Sequence, residues 1–352
     1  MNFAFVLPNL AGGGAEKAIL KLATTLARRG HRCEIVLLEQ YAEHPVPAGV
    51  AVSSLAARAP HGWLGKRLLA RRLHNKLGGE YDLIVSTLPF ADEVAMLARL
   101  PRHWCRIANT LSSEIRLLAQ RDAGKSRRRQ ARYQRLYGRR PLIAVSNGVA
   151  DDLSGELGLS SRIEIIPNAF DFAALRTAAA QPLASPPARR YVIHVGRFAP
   201  QKRHDLLLDA WARVATDRLL VLLTAADPAL DALIRQRGLE DRVQVAGFQP
   251  NPYPWIAGAD LLVLCSDHEG LPNVLIEALA CGTPAVSTDC PSGPREILAA
   301  FPEFLVPCGD ADALASAITR ALAAPPDVRE AGLSGYGSDR VADAYERLAR
   351  ER

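Results

Sequence analysis

Two glutamates, Glu269 and Glu277, frame the start of the segment 269–298, EGLPNVLIEALACGTPAVSTDCPSGPREIL. An apolar run ending at Cys265 precedes it. Gly270 and Pro272 break the chain, and Asn273, a capping residue type, predicts a helix from there to about Ala280. The first turn of a helix offers N–H groups with an effective charge of roughly +0.5, which suits a phosphate. Glu269 then lies in the loop before the helix and Glu277 about one turn inside it. One carboxylate at the loop mouth and one beside the same pocket suit the hydroxyls of a ribose or a hexose. Two glutamates alone would read as solvated charges flanking a helix. The glycines and prolines at a strand end argue for a site.

The segment 191–211, YVIHVGRFAPQKRHDLLLDAW, complements it. A strand ends at Gly196, and Arg197 and Lys202 flank a short loop before a helix. Two cations at a strand end can grip a diphosphate, Arg by its fork and Lys as a point charge; the plain alternative is a solvated basic loop. His194 and His268 stand close by and read as packed or capping residues. Near the N-terminus, Gly12–Gly14 follow the first strand and precede a helix, so the backbone there can approach a ligand. Lys17 stands where the last glycine of a dinucleotide fingerprint would be, which disfavours a dehydrogenase.

The elements that position these residues alternate between strand and helix, the pattern of parallel sheets with crossover helices. Strands are predicted at 3–7, 33–38, 83–86, 105–108, 142–145 and 163–166, then at 191–195, 219–223, 243–246, 261–265, 285–287 and 304–306. Several are apolar on both faces, as buried parallel strands are. The predicted fold is α/β, with two doubly wound, Rossmann-like domains facing a cleft, and ligands bound beyond the carboxyl ends of the strands. The N-terminal domain is expected at 1–171 and a linker at 172–190, of which 177–190 (TAAAQPLASPPARR) has no apolar period. The nucleotide-binding domain is expected at 191–335, followed by a C-terminal helix within 336–352.

The chain of 352 residues is long enough for two domains. No run of about 20 apolar residues predicts a membrane-spanning helix. The start, MNFAFVLPNL, reads as a first strand rather than a signal peptide. Six scattered cysteines without a CxxC pair argue against structural zinc and a disulfide framework. These features predict a cytoplasmic protein. Residues 1–171 carry 25 Lys/Arg against 15 Asp/Glu, and residues 172–352 carry 18 against 22. The basic half points to an anionic partner. Within it, residues 116–140 hold ten Lys/Arg and one acid, Asp122, with Arg128, Arg132, Arg135 and Arg139 on one helical face. Such a face fits an anionic membrane surface, on the inner side of the cytoplasmic membrane, or an anionic acceptor. A solvated face is the alternative, and no nucleic-acid-binding motif accompanies the charge.

These segments resemble the retaining glycosyltransferases of family 4, which have the GT-B fold. The resemblance runs through 12–17 (GGGAEK), 145–149 (VSNGV), 166–171 (IPNAFD, against the usual IPNGFD), 196–202 and 247–289, with the Glu269-to-Glu277 spacing matching the family's E-x7-E motif. The C-terminal stretch is similar to the bacterial branch that builds surface polysaccharides and lipid-linked glycans from UDP-sugars. The resemblance implies that Arg197 and Lys202 hold the donor diphosphate and neutralise the leaving group. Gly270, Leu271, Pro272, Asn273, Val274 and Leu275 would line the donor, with backbone N–H groups of 273–275 on the phosphates. Glu277 would bind ribose and Glu269 the donor sugar, while Gly247 and Phe248 would border the base. Gly13 and Gly14 would face the donor phosphate and the acceptor. The chemistry would need no metal and no cofactor beyond the nucleotide-sugar, transferring a hexose or N-acetylhexosamine to a lipid-linked or polysaccharide acceptor.

One departure stands out. Where many family members carry a histidine after a middle strand, this chain has RIANTLSSE, with Asn109 and Thr110. His103 precedes that strand and reads as a surface residue. No general base is therefore named; in a front-face route the departing phosphate can take the acceptor proton. Two other functions fit part of the pattern: a UDP-sugar epimerase of similar fold, and a non-catalytic donor-binding or scaffold subunit of a transferase complex.

Overall fold

The computed structural model describes residues 1–11, 13–41, 47, 49–183 and 185–351. Gly12, part of the first glycine motif, lies outside them. The chain divides into two compact units, Met1–Phe170 with Ser334–Arg352, and Asp171–Leu333.

In the first unit the order is β1 (Asn2–Leu7), α1 (Gly14–Arg28), β2 (Arg32–Leu37), β3 (Val50–Ser54), α2 (Gly62–Leu77), β4 (Leu83–Thr87), α3 (Pro89–Leu97), β5 (His103–Ile107), α4 (Leu111–Arg121), α5 (Ala123–Tyr137), β6 (Leu142–Ala144), α6 (Asn147–Asp151) and β7 (Ile163–Ile165). The described strands form one parallel sheet in the order β3-β2-β1-β4-β5-β6-β7. Strand β3 was missing from the sequence expectation. It is a sheet-edge strand, VAVSS, with mixed burial, so it lacks the two-sided apolar run of its neighbours. Helix starts follow side-chain chemistry: Asp122 accepts from the Lys125 N–H at α5, and Ser146 from the Val149 N–H at α6.

The second unit runs α7 (Phe172–Ala179), β8 (Tyr191–Val195), α8 (His204–Arg213), β9 (Leu219–Leu223), α9 (Pro228–Gln236), β10 (Val243–Val245), α10 (Tyr253–Ala257), β11 (Leu261–Leu264), α11 (Asn273–Ala280), β12 (Ala285–Thr288), α12 (Pro294–Ile297), β13 (Leu305–Val306) and α13 (Ala311–Ala323). Its parallel sheet has the order β10-β9-β8-β11-β12-β13, the Rossmann order. The expected linker 172–190 needs correction, because its first part is helix α7. Asp171 caps α7 by accepting from the Ala174 N–H, and Asn251 Nδ2 ties it to Ala178 O at 3.1 Å within the same unit. The helix buries Leu175 and little else, which leaves no apolar period to read.

The last helix, α14 (Ser338–Arg350), belongs to the first unit. Its Val341, Ala342, Tyr345, Leu348 and Ala349 join the core formed by Phe3, Phe5, Ile19, Leu22 and Leu26. Glu346 receives Arg29 and His31, each at 3.0 Å. No described helix is long and apolar enough to cross a membrane.

Leu348 is 3 % exposed. Leu348→Ala is expected to cost about 2–4 kcal/mol of unfolding free energy, measured by urea titration. A loss under about 0.5 kcal/mol would show that α14 does not bury this side chain.

Candidate active site

In the second sheet the strand order reverses between β8 and β11, which pair directly. Their outgoing loops therefore leave the carboxyl edge side by side, at the position where such folds bind ligands. The loop after β8 contains Gly196, Arg197 and a single 3-10 turn, Pro200–Lys202. The loop after β11 carries Asp267, His268, Glu269 and Gly270 into α11.

Backbone and side chains lock the two loops together. The Asp267 N–H donates to Gln201 O at 2.9 Å, and Gln201 Nε2 donates to His268 O at 2.5 Å. The Cys265 thiol donates to Lys202 O at 3.0 Å. Arg203, left-handed at φ 48°, is held by Asp205 at 2.9 Å and Asp267 at 3.0 Å; both carboxylates push its pKa up. Across this seam Lys202 Nζ meets Glu269 Oε1 at 2.5 Å, with side chains only 22 % and 10 % exposed. The ammonium is thereby fixed at the loop mouth. Arg197, beside it, is exposed and makes no ion pair with any described residue. The two cations singled out in the sequence thus have different states, one anchored and one free.

Glu277 lies one turn into α11 and accepts from the Tyr253 hydroxyl of α10 at 3.2 Å. Burial, with Glu277 adding to it, pushes that hydroxyl's pKa up. The expected Asn273 cap is corrected: Pro272 occupies the N-cap and Asn273 is the first helical residue. Proline has no side-chain acceptor, so no side chain caps the helix. The Leu275 N–H already donates to Pro272 O at 3.0 Å, which removes it from the N–H groups expected to face a phosphate. Leu271 and Pro272 are buried, and Val274 is half-buried. Gly247 adopts φ 75°, and the following Phe248 is 65 % exposed at the carboxyl end of β10.

The segment Pro291–Gly293 was not singled out by sequence reasoning, yet it supports the site. The Glu269 N–H donates to Pro291 O at 3.2 Å. Ser292 and Gly293 have φ of 69° and 98°. A Cβ on Gly293 would lie 2.3 Å from Pro272 Cδ, so only glycine lets this turn press against the 270–272 loop. The Pro-Ser-Gly-Pro run was the available signal.

His194 is fully buried, with Nδ1 on Val263 O at 2.9 Å, and stacks edge-on with His204, whose ring also meets Phe198. Burial lowers the pKa of both, His204 to about 4. A Cβ on Gly196 would sit 3.3 Å from His194 Nε2. The pair forms a neutral floor beneath the loop. His268 is also buried, and its carbonyl is used by Gln201.

The remaining expected residues lie in the first unit. Gly13 is the N-cap of α1 and Gly14 its first residue; a Cβ on Gly13 would meet the Glu16 carboxylate at 2.1 Å. Asn109 Nδ2 donates to Glu114 Oε1 at 2.9 Å. Asn168 of the IPNAFD segment accepts from the buried Arg106. His103 corrects the surface expectation: it opens β5, an interior strand of the sheet, is 3 % exposed and bonds Ser86 Oγ at 2.8 Å. Burial first, then Arg140, lowers its pKa to about 3. On α5, Arg128, Arg135 and Arg139 are exposed, whereas Arg132 pairs with Glu93 of α3.

Two parallel sheets, the second with paired loops at its switch point, define a doubly wound α/β scaffold, and comparison with known families makes it specific. A model described as Glycosyltransferase Family 4 matches residues 12–174, and one described as Glycosyl transferases group 1 matches residues 189–324. The chain belongs to the family 4 glycosyltransferases of GT-B fold. It is similar to the N-acetylgalactosamine-N,N'-diacetylbacillosaminyl-diphospho-undecaprenol 4-alpha-N-acetylgalactosaminyltransferase of Campylobacter jejuni, 28% identical over 301 residues, or 82% of this chain and 81% of that one. Sucrose-phosphate synthase from Thermosynechococcus elongatus shares its fold at a TM-score of 0.81 and 20% identity, over 99% of this chain and 98% of that one. So does Anabaena HepE in complex with UDP and glucose, at 0.74 and 21%, over 99% and 98%.

The buried histidines give a pH prediction. An unfolded His204 titrates near 6.5 and the folded one at about 4. Between those values the unfolded chain binds a proton that the folded chain refuses, so stability falls as pH falls through that window. His204→Phe is expected to remove about one proton from the slope of unfolding free energy against pH, read from urea melts between pH 7 and 4. An unchanged slope would mean that His204 is not held neutral.

Proposed function

We propose that the protein transfers a hexose or N-acetylhexosamine from a UDP-sugar, with retention of anomeric configuration, to a lipid-linked or polysaccharide acceptor in bacterial surface-glycan synthesis. The observation that carries this reading is the Lys202–Glu269 pair at 2.5 Å, standing at the β8/β11 switch point with an unpaired Arg197 beside it. A diphosphate leaving group needs fixed positive charge at the loop mouth, and preorganised charge costs no rearrangement during reaction. Glu269, held by Lys202 and by its own N–H on Pro291 O, turns a carboxylate toward a sugar's hydroxyls. Glu277 on α11 suits the ribose, steadied by Tyr253. Phe248 offers an exposed ring to a base.

In the reaction the bond from the sugar's anomeric carbon to the diphosphate breaks, and UDP leaves with that electron pair. The acceptor hydroxyl forms the new bond on the same face, and its proton passes to the departing phosphate oxygen. Arg197 and Lys202 stabilise the charge that builds there. No cofactor or metal is needed for this route. The Campylobacter relative's name specifies an alpha-N-acetylgalactosaminyl transfer to an undecaprenyl-diphosphate glycan, and HepE holds UDP and glucose, which supports both halves of the proposal.

Isothermal titration with UDP, GDP, ADP and CMP tests the donor. UDP is expected to bind best. Glu277→Ala should weaken it by about 10-fold or more. Lys202→Ala should lower turnover by roughly 100-fold with a smaller effect on UDP affinity. Unchanged affinity and turnover in both variants would place the donor elsewhere. NMR of the product's anomeric proton tests retention, and an inverted product would overturn it.

A further inference from the structure

The six cysteines lie apart in the sequence, yet the sheet of the second unit sets two of them side by side. Strands β12 and β13 pair with a constant offset, Ser287 against Leu305 and Thr288 against Val306. The ladder runs one bond further, since the Asp289 N–H donates to Val306 O at 2.7 Å. The same offset places Cys290 opposite Cys308, two residues beyond the last pair and, by strand alternation, on the face of Thr288. Neighbouring strands lie about 4.8 Å apart, inside the roughly 4.4–6.8 Å between Cα atoms that a disulfide spans.

Side-chain positions agree with this register. The Cys308 thiol comes to 4.0 Å from Ser266 O, the carbonyl that Thr288 Oγ1 also reaches at 2.7 Å. Burial raises the pKa of both thiols; Glu269 and Cys308 add to the rise at Cys290, Asp267 and Asp289 add to it at Cys308, and the Thr288 hydroxyl counters it at each. Both sulfurs therefore lie within reach of one hydroxyl. Their accessibility differs, since Cys308 is exposed and Cys290 is buried. Such a pair has an entry thiol and a resolving thiol. Cys290 also leads directly into Pro291, whose carbonyl holds the Glu269 N–H, and into the turn whose Gly293 presses on Pro272.

We propose that Cys290 and Cys308 form a modification site that reacts with small-molecule disulfides and closes to an internal disulfide, and that closure disturbs the donor site through Pro291. The Cys308 thiolate attacks one sulfur of the small disulfide, forming a mixed disulfide and releasing one thiolate. The Cys290 thiolate then attacks the Cys308 sulfur and displaces the second. Two cysteine thiols are oxidised, one small disulfide is reduced to two thiols, and the two cysteine protons end on them. Drawing Cys290 onto Cys308 shifts the Pro291 carbonyl from the Glu269 N–H, which loosens the loop that carries Glu269 into α11. The thiol chemistry is independent of transferase activity, whereas its effect on donor binding rests on the function proposed above.

The test incubates the full chain with oxidised glutathione at mildly alkaline pH, where more thiolate forms. The chain is then quenched with acid, alkylated in denaturant and mapped by peptide mass spectrometry. The expected product is a Cys290–Cys308 disulfide that dithiothreitol reverses. In isothermal titration the oxidised chain should bind UDP roughly 5-fold or more weakly than the reduced chain. Cys308→Ser should prevent closure and leave the UDP affinity of the reduced chain unchanged. Cys290→Ser should stop at the mixed disulfide on Cys308. A wild-type chain in which Cys308 stays free, stops at one glutathione or pairs with another cysteine would overturn the site. A Cys290–Cys308 disulfide with unaltered UDP affinity would overturn its coupling to the donor. Failure of the reduced chain to bind UDP would overturn the donor site and the coupling with it, while the peptide map still decides the disulfide.

Discussion

The reversal of strand order between β8 and β11 is the constraint on which the second unit's chemistry depends. Right-handed crossovers place successive helices on opposite faces once the order turns. At that point two loops leave neighbouring strands with no helix between them. Everything that follows is a matter of filling that gap with polar groups without leaving them unsatisfied. Gln201, Asp267, Cys265 and the His268 carbonyl do this by bonding one loop to the other. The result is a stiff rim on which Lys202 and Glu269 can be held at contact distance.

Stiffness here has a local conformational cost. Arg203 and Ser292 both take left-handed backbone angles without being glycine, at about 1 kcal/mol or more each. Two carboxylates on the Arg203 guanidinium offset the first. The second belongs to the turn whose Gly293 presses on Pro272. Beneath the rim, the neutral His194–His204 stack gives Gly196 and Lys202 an apolar-like floor whose rings keep polar edges. His194 Nε2 and both ring nitrogens of His204 have no partner among the described residues, which is tolerable only while both rings stay uncharged.

The first unit solves a different problem. Its sheet is covered by helices of strongly basic composition, and its acids are spent one at a time. Glu93 joins α2, α3 and α5 through Lys66 and Arg132, Glu34 takes Lys76, and Glu346 of α14 takes Arg29 and His31. A buried cluster of Ser86, Asp92, His103 and Tyr137 links α3 and α5 to the strands they cover. Burial pushes the Asp92 carboxyl's pKa up, against the Ser86 and Tyr137 hydroxyls that donate to it. What remains at the surface is the positive charge that internal pairing did not use.

Strand positions were legible because buried parallel strands are continuous apolar runs; Tyr191–Val195 and Leu219–Leu223 match their sequence boundaries. The edge strand β3 and the short helix α7 were not legible, since each buries too little for its period to show. The sequence determined the donor-type motif, since glycine, proline and carboxylate spacing are chain-local properties. It could not show that His103 is buried, that Arg132 is spent on Glu93, or that Pro272 rather than Asn273 takes the N-cap of α11. Each of these depends on partners far along the chain. Tertiary structure alone decided which charges are paired and which are free, and therefore that Lys202 is anchored while Arg197 is not. A side chain's type is written in the sequence, but its electrostatic state is set by the neighbours that folding brings to it.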